Sequence, residues 1–254
     1  MALDIQSIAE QRPQNAIHYF SVIGSTMTEA ARLAVSGAPH GSVVIADGQT
    51  AGIGRFGRHW LSEPESGIYC SILLRLPLEP ASLPIVTLAL GLAAAEAIEQ
   101  TTGIDCDLRW PNDVLIRERK VAGILAQLHD TCIVAGIGIN VNQAGLPDDL
   151  RTPATSLKMA AKKAFAREPI VVALLQRLDA LCALLIAEGP ECMIRAFMAA
   201  SSYALHRRVI YESDRGTKKG VTAGLDENGF LKVRDDSGVT VTLYNGGVRP
   251  DTSL

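Results

Sequence analysis

The chain has 254 residues, 48% of them hydrophobic and 20% charged, with a formal net charge of −3. That length suits one large domain, or a large and a small one, and it buries a core without disulfide or metal staples. The charge excludes a general attraction to nucleic acid or to an anionic membrane, so any anion-binding role must come from a local cluster of cations.

Taken in chain order, residues 1–15 lack the charged start and apolar core of a signal peptide, and no export is expected. Ile17 to Val22 reads as a short strand. Gly24-Ser25-Thr26 then opens an Ala-rich helix to about Ser36, with Thr26 and Glu29 at capping-box spacing. Ser42 to Asp47 is a second strand, running into Gln49 and the stretch AGIGRFGRHW at 51–60. Gly67 to Leu74 is a third strand, ended by a proline-bearing segment from Pro77 to Pro84. Ile85 to Gln100 reads as a long buried helix, since Leu, Ala and Ile dominate and only Gly91 interrupts. The apolar run within it is broken by Gly91 and Glu96, so no membrane span is expected.

From Asp105 the pattern becomes a strand meander: Cys106 to Trp110, Val114 to Arg117, Val121 to His129 and Cys132 to Asn142, joined by short turns. Pro169 to Glu188 and Glu191 to Ser201 read as two helices separated by Gly189-Pro190. From Leu205 short strands with Gly turns follow, at 208–211, 217–223, 230–233 and 240–244. The expected fold class is α+β: a mixed β-sheet flanked by helices over 1–204, with a small SH3-like β-barrel over 205–254. Cys70, Cys106, Cys132, Cys182 and Cys192 are odd in number and show no CxxC spacing. They read as buried hydrophobes in a reducing, cytoplasmic compartment.

Four stretches carry possible chemistry. In AGIGRFGRHW the glycines at 52, 54 and 57 free the backbone to curl around a ligand, while Arg55 and Arg58 offer forked donors for carboxylate or phosphate. No Gly-Lys-Ser/Thr follows, as in a Walker loop, and no helix, as in a dinucleotide fingerprint. The stretch is either an anion-holding loop or a solvated surface loop. In Leu108 to Ile116 an apolar strand meets Trp110-Pro111-Asn112-Asp113. Asn112 and Asp113 are either turn formers or side chains projecting into a site, where Asp113 would orient an amine or accept a proton.

Lys120 heads the strand Val121 to Ala126; if that strand is regular, Lys120 shares a face with Ala122 and Ile124. It is either a surface charge or a cation aimed at an anionic ligand. Along 133–142 one face is wholly apolar, and the other reads Val134, Gly136, Gly138, Asn140, Asn142. Two missing side chains followed by two amides either make room for a bound ring and hydrogen-bond it, or accommodate a bulge or a crossing helix.

Gly24-Ser25-Thr26, Gln49, AGIGRFGRHW, RWPNDV at 109–114, RKVAGI at 119–124 and GIGINVN at 136–142, in this order, resemble the biotin protein ligases. The likeness runs from about residue 17 to 142, and the tail with Gly246-Gly247-Val248 also looks like the family's. It implies a two-step ligase that makes biotinyl-AMP from biotin and ATP with Mg2+, then loads a lysine of a biotin carboxyl carrier domain. By the family pattern Ser25, Thr26, Met27, Gln49, Gly54, Arg55, Lys120, Gly123 and Gly136 fall to biotin. Arg55, Arg58, Trp60, Asn112, Lys120 and Asn140 fall to ATP, and Lys120, Arg55, Arg58 and Asp113 to catalysis. The glycine loop becomes a flexible flap, and no protein metal site is expected.

Two positions depart from the family. Its loop commonly reads Gly-Arg-Gly-Arg-x-Gly-Arg, and Ile53 stands where the first arginine falls; Arg109 stands where lysine is common. The first change predicts looser retention of the intermediate or a compensating cation elsewhere. About sixteen residues precede the first strand, so a ligase without the winged helix-turn-helix repressor, and without DNA or membrane as partner, is expected. A homodimer through a sheet edge is an open possibility. The rival readings are a lipoate ligase or octanoyltransferase of the same architecture, and a non-enzymatic peptide- or nucleic-acid-binding module.

Overall fold

The computed structural model describes residues 1–150, 152–213 and 216–251. A mixed seven-stranded sheet is built from β1 (Ile17–Ile23), β2 (Val43–Gln49), β3 (Gly67–Leu74), β4 (Asp107–Arg109), β5 (Asp113–Ile116), β6 (Arg119–His129) and β7 (Cys132–Asn140), in the order β1-β2-β3-β7-β6-β5-β4. β1 runs parallel to β2, and every other pairing in this sheet is antiparallel. Helices flank it: α1 (Ile5–Gln11), α2 (Thr26–Val35), α3 (Leu83–Thr102), α4 (Leu157–Ala161), α5 (Glu168–Glu188) and α6 (Pro190–Ala200). A separate antiparallel sheet follows, of β8 (Leu205–Ser213), β9 (Gly216–Leu225), β10 (Leu231–Asp235), β11 (Thr240–Leu243) and β12 (Val248–Pro250), in keeping with a small barrel.

Strand periodicity divides the sheet between two cores. Ile133, Ala135, Ile137 and Ile139 of β7 join the main core with α3, α5 and α6, while Val134 packs with Met27, Ala30 and Ala34 of α2 on the opposite face. α3 is apolar on all sides because it is enclosed on all sides, and Gly103, at φ 70°, closes it in the left-handed conformation. The Pro80–Thr102 segment and α5 are both long and apolar enough to cross a bilayer. Here the two helices pack against one another, and α3 also lies on the sheet.

The capping reading is corrected. Ser25, not Thr26, is the N-cap of α2, and it makes no capping hydrogen bond. Thr26 is drawn instead to Gln49, and Glu29 is taken by Arg32. α1, α4 and β12 are absent from the sequence reading, because each is too short to display a period.

Candidate active site

The site lies on the α2 side of the sheet, where β7 presents Gly136, Gly138 and Asn140. A Cβ on Gly136 would stand 2.4 Å from Met27 Sδ, and one on Gly138 2.4 Å from Trp60 Cε2. The glycine face is thus the floor on which a helix side chain and a loop indole rest. Gly123 of β6 extends that floor: its Cβ would come within 2.7 Å of Trp60 and 2.9 Å of Lys120 Nζ.

Lys120 reaches this floor through an irregularity. The β5–β6 register shifts between Val114, opposite Ala122, and Leu115, opposite Lys120. Val121 is the extra residue of a bulge, which turns Lys120 away from the face of Ala122 and Ile124 that a regular strand would give it. Its ammonium pairs with Asp113 and lies 5.3 Å from the Trp60 ring centre.

Asp113 is held from two sides, by Lys120 at Oδ1 and by Arg109, whose Nη2 donates to Oδ2 at 2.6 Å. Burial pushes this carboxyl's pKa up, but the charges and hydrogen bonds of Lys120 and Arg109 outweigh burial and hold it below the ordinary value. Asp113 is therefore a fixed anion that orients Lys120, and a weak proton acceptor near neutral pH.

AGIGRFGRHW is a closed hairpin. Trp60 N donates to Gly52 O at 2.9 Å, Gly54 N to Arg58 O at 2.7 Å, and Ile53 bridges His59. Arg55 Nη1 donates to Asn112 Oδ1 at 3.1 Å and to Gly246 O at 2.8 Å, tying the loop to the RWPND turn and to the C-terminal sheet. Burial pushes the Arg55 pKa down; Asp113 opposes the shift and Arg58 adds to it. An anionic ligand here would relieve that strain on the charge.

Two cavities meet at this point. The smaller, about 50 Å³, is lined by Thr26, Met27, Gln49, Ile53, Gly123 and Gly136 among others. The larger, about 410 Å³, takes in Arg58, Asp113, Asn140, Leu146, Thr152 and Arg249. Gly54, Arg55, Trp60, Asn112 and Lys120 belong to both walls. In the smaller chamber Gln49 accepts from Thr26 N at 2.8 Å and donates to Ser62 Oγ at 2.8 Å. Trp60 Nε1 is buried there without a partner, and so is Ser25 Oγ, at the N-cap of α2 and outside the chamber wall. Such groups are costly unless a ligand or water completes them. In the larger chamber Asn140 is buried, its Nδ2 donating to Thr155 O at 3.1 Å.

Every candidate side chain except Ser25 lines one chamber or both. Sequence reasoning missed the walls supplied from far away: Leu146, Leu150 and Thr152 after β7, and Glu212, Gly246 and Arg249 of the C-terminal sheet. Only the Gly246-Gly247 doublet carried a visible signal. No group of three or more acidic, His or Cys side chains suited to a metal occurs among the described residues. Asp113 is already committed to two cations, and Glu212 to Arg249.

The profile of the biotin/lipoate A/B protein ligase family matches residues 19–143. The Mycobacterium tuberculosis biotin–[acetyl-CoA-carboxylase] ligase is 35% identical over 235 residues, 89% of this chain and 85% of that protein. The bifunctional ligase/repressor BirA of Bacillus subtilis is 32% identical over 228 residues, 87% of this chain and 70% of that protein. The structure of the Aquifex aeolicus biotin protein ligase in complex with biotin and ATP superposes with a TM-score of 0.80 at 30% identity, covering 92% of this chain and 97% of that one. By sequence, by architecture and by likeness to these proteins, the chain belongs to the biotin/lipoate A/B protein ligase family.

Proposed function

We infer that this protein activates biotin with ATP to biotinyl-5′-AMP and transfers biotin to a lysine of a biotin carboxyl carrier protein. Biotin and ATP are its substrates, and a carboxyl carrier its partner. One observation carries the assignment to residues: the two chambers share a wall that bears Lys120 and Arg55. The reaction needs a carboxylate and a triphosphate to meet, and cations at the junction offset their repulsion and the charge that develops at phosphorus.

Biotin takes the smaller chamber, with its ureido end towards Thr26 and Gln49 and with Trp60 Nε1 as a group to be completed; Ser25, behind the wall, reaches biotin only if the chamber widens on that side. Ligand sites generally offer about 300–1,000 Å³, so a chamber of about 50 Å³ must widen. Trp60 is the side chain to move, since it lies over Gly123 and Gly138 and is carried by a hairpin. ATP takes the larger chamber, with adenine by Asn140 and phosphates by Arg55, Arg58 and Lys120. A biotin carboxylate oxygen bonds to the α-phosphorus and the bond to the β-phosphate oxygen breaks, releasing pyrophosphate. The acceptor lysine amine then bonds to the acyl carbon, AMP leaves with the electron pair of the C–O bond, and the amine gives up its proton.

Asp113 acts by fixing Lys120; as a base for the acceptor amine it is weakened by its two cations. Magnesium enters on the triphosphate, because the carboxylates at hand are occupied. We divide the chain into a catalytic domain at 1–204 and an SH3-like barrel at 205–254, the latter supplying Gly246 and Arg249 to the ATP chamber. β1 and β4 end the large sheet; the Leu108 carbonyl of β4 already accepts from Ser201 Oγ, so the half-exposed β1 is the edge we assign to the carrier or to a second copy. The five unpaired thiols support a cytoplasmic setting. With a net charge of −3 and cations gathered on a cavity, DNA has no role in this reading.

The lipoate alternative is tested by pyrophosphate exchange into ATP. Exchange with biotin and none with lipoate is expected; the reverse would transfer the protein to the lipoate branch.

A further inference from the structure

The tip of the hairpin puts a bulky residue where the backbone resists one. Phe56 has φ 59° and ψ 32°, Gly57 has φ 70°, and Arg58 N donates to Arg55 O at 3.3 Å, which makes 55–58 a tight turn with two left-handed central residues. Asn or Gly suits the first of those positions, and an aromatic there is costly. The other six described non-glycine residues with positive φ are all polar or charged, so Phe56 is the exception. Burial does not repay the strain, because Phe56 is 64% exposed. What the ring does touch is cationic: the Arg55 guanidinium lies 4.8 Å from its centre and that of Arg58 5.7 Å. All three side chains line the larger chamber. Strain at one residue together with two converging cations is the mark of a position kept for what it holds.

We propose that Phe56 is a positioning residue: its ring gathers the guanidiniums of Arg55 and Arg58 at the rim of the larger chamber before ATP arrives. It supplies no charge in place of the one Ile53 lacks; it fixes the two that the loop retains. The ring face attracts each guanidinium and so reduces the cost of bringing two like charges together. The proposal rests on the ligase reading for what the arginines receive, but not for their being held.

The test compares the full chain with Phe56→Asn, Phe56→Leu and Phe56→Trp. Phe56→Asn suits the left-handed backbone and removes the ring, so its melting temperature is expected to equal or exceed that of the parent. In pyrophosphate exchange the KM for ATP rises about five-fold in the Asn and Leu variants, the loss of roughly one exposed cation–π contact. The KM for biotin stays within about two-fold, and Phe56→Trp restores the parental value. Without ligand, trypsin cuts after Arg55 and Arg58 faster in the Asn and Leu variants than in the parent or the Trp variant. An Asn variant with the parental KM for ATP and the parental cleavage rate overturns the proposal. A parent with no biotin-dependent exchange overturns the ligase reading instead, and the cleavage comparison still decides whether the ring holds the arginines.

Discussion

Lys120 and Asp113 form an ion pair across the β5–β6 bulge, so the cation at the junction of the two chambers is aimed by the carboxylate opposite it. The bulge brings Lys120 over Gly123, and Arg109 keeps Asp113 ionised from behind.

Lys120→Ala is expected to lower adenylate formation by about 100-fold or more, the scale of removing one preorganised charge at a transition state. Folding should survive, because Asp113 keeps Arg109 as its partner. Pyrophosphate exchange beside a thermal melt checks this; full activity would remove Lys120 from the site.

Asp113→Asn is expected to be the more damaging change to stability, because it strands both Lys120 and the buried Arg109. Breaking such a buried pair costs about 3–5 kcal/mol. The cost depends on pH with a fixed sign. The folded pKa of Asp113 is lowered, so its contribution is complete above the ordinary carboxylate value of about 3.9 and is lost as pH falls through the lowered folded value. Urea melts should show a wide gap between parent and variant at pH 7 that narrows in acid. A gap that is the same at both ends would contradict the assignment of the shift to Asp113.

The sequence displayed the strands other than β12, the long helices and the Gly136-Gly138-Asn140 face, because period-two and all-apolar patterns survive without knowledge of neighbours. It did not display the Lys120 bulge, since a bulge depends on the partner strand's register. Nor did it place Thr26 against Gln49, a pairing that overrides a local capping preference. The C-terminal wall of the larger chamber was hidden for a similar reason: Arg55 meets Gly246 across 191 positions of sequence.

Gly138→Ala is expected to raise the KM for biotin at least ten-fold while changing that for ATP little. Its methyl would stand 2.4 Å from Trp60, so the indole must be displaced within the smaller chamber. Trp60 emission should change when biotin binds the parent and respond less in the variant. An unaltered biotin KM would remove the glycine floor from the biotin site.

Ile53 lines the smaller chamber and is 40% exposed, so it neither seals a core nor supplies charge. The further cations on the larger chamber, Arg109 and Arg249, both face carboxylates, Asp113 and Glu212 respectively. Ile53→Arg is therefore expected to slow the release of preformed biotinyl-AMP several-fold, as one added charge-assisted contact would. A release rate equal to the parent's would show that position 53 does not govern retention.

The central claim is tested most directly by mass spectrometry of a biotin carboxyl carrier domain incubated with this protein, ATP and biotin. The carrier is expected to gain one biotinyl group on a single lysine, and only when both small molecules are present. A carrier that remains unmodified while a known biotin ligase modifies it under the same conditions would contradict the assignment.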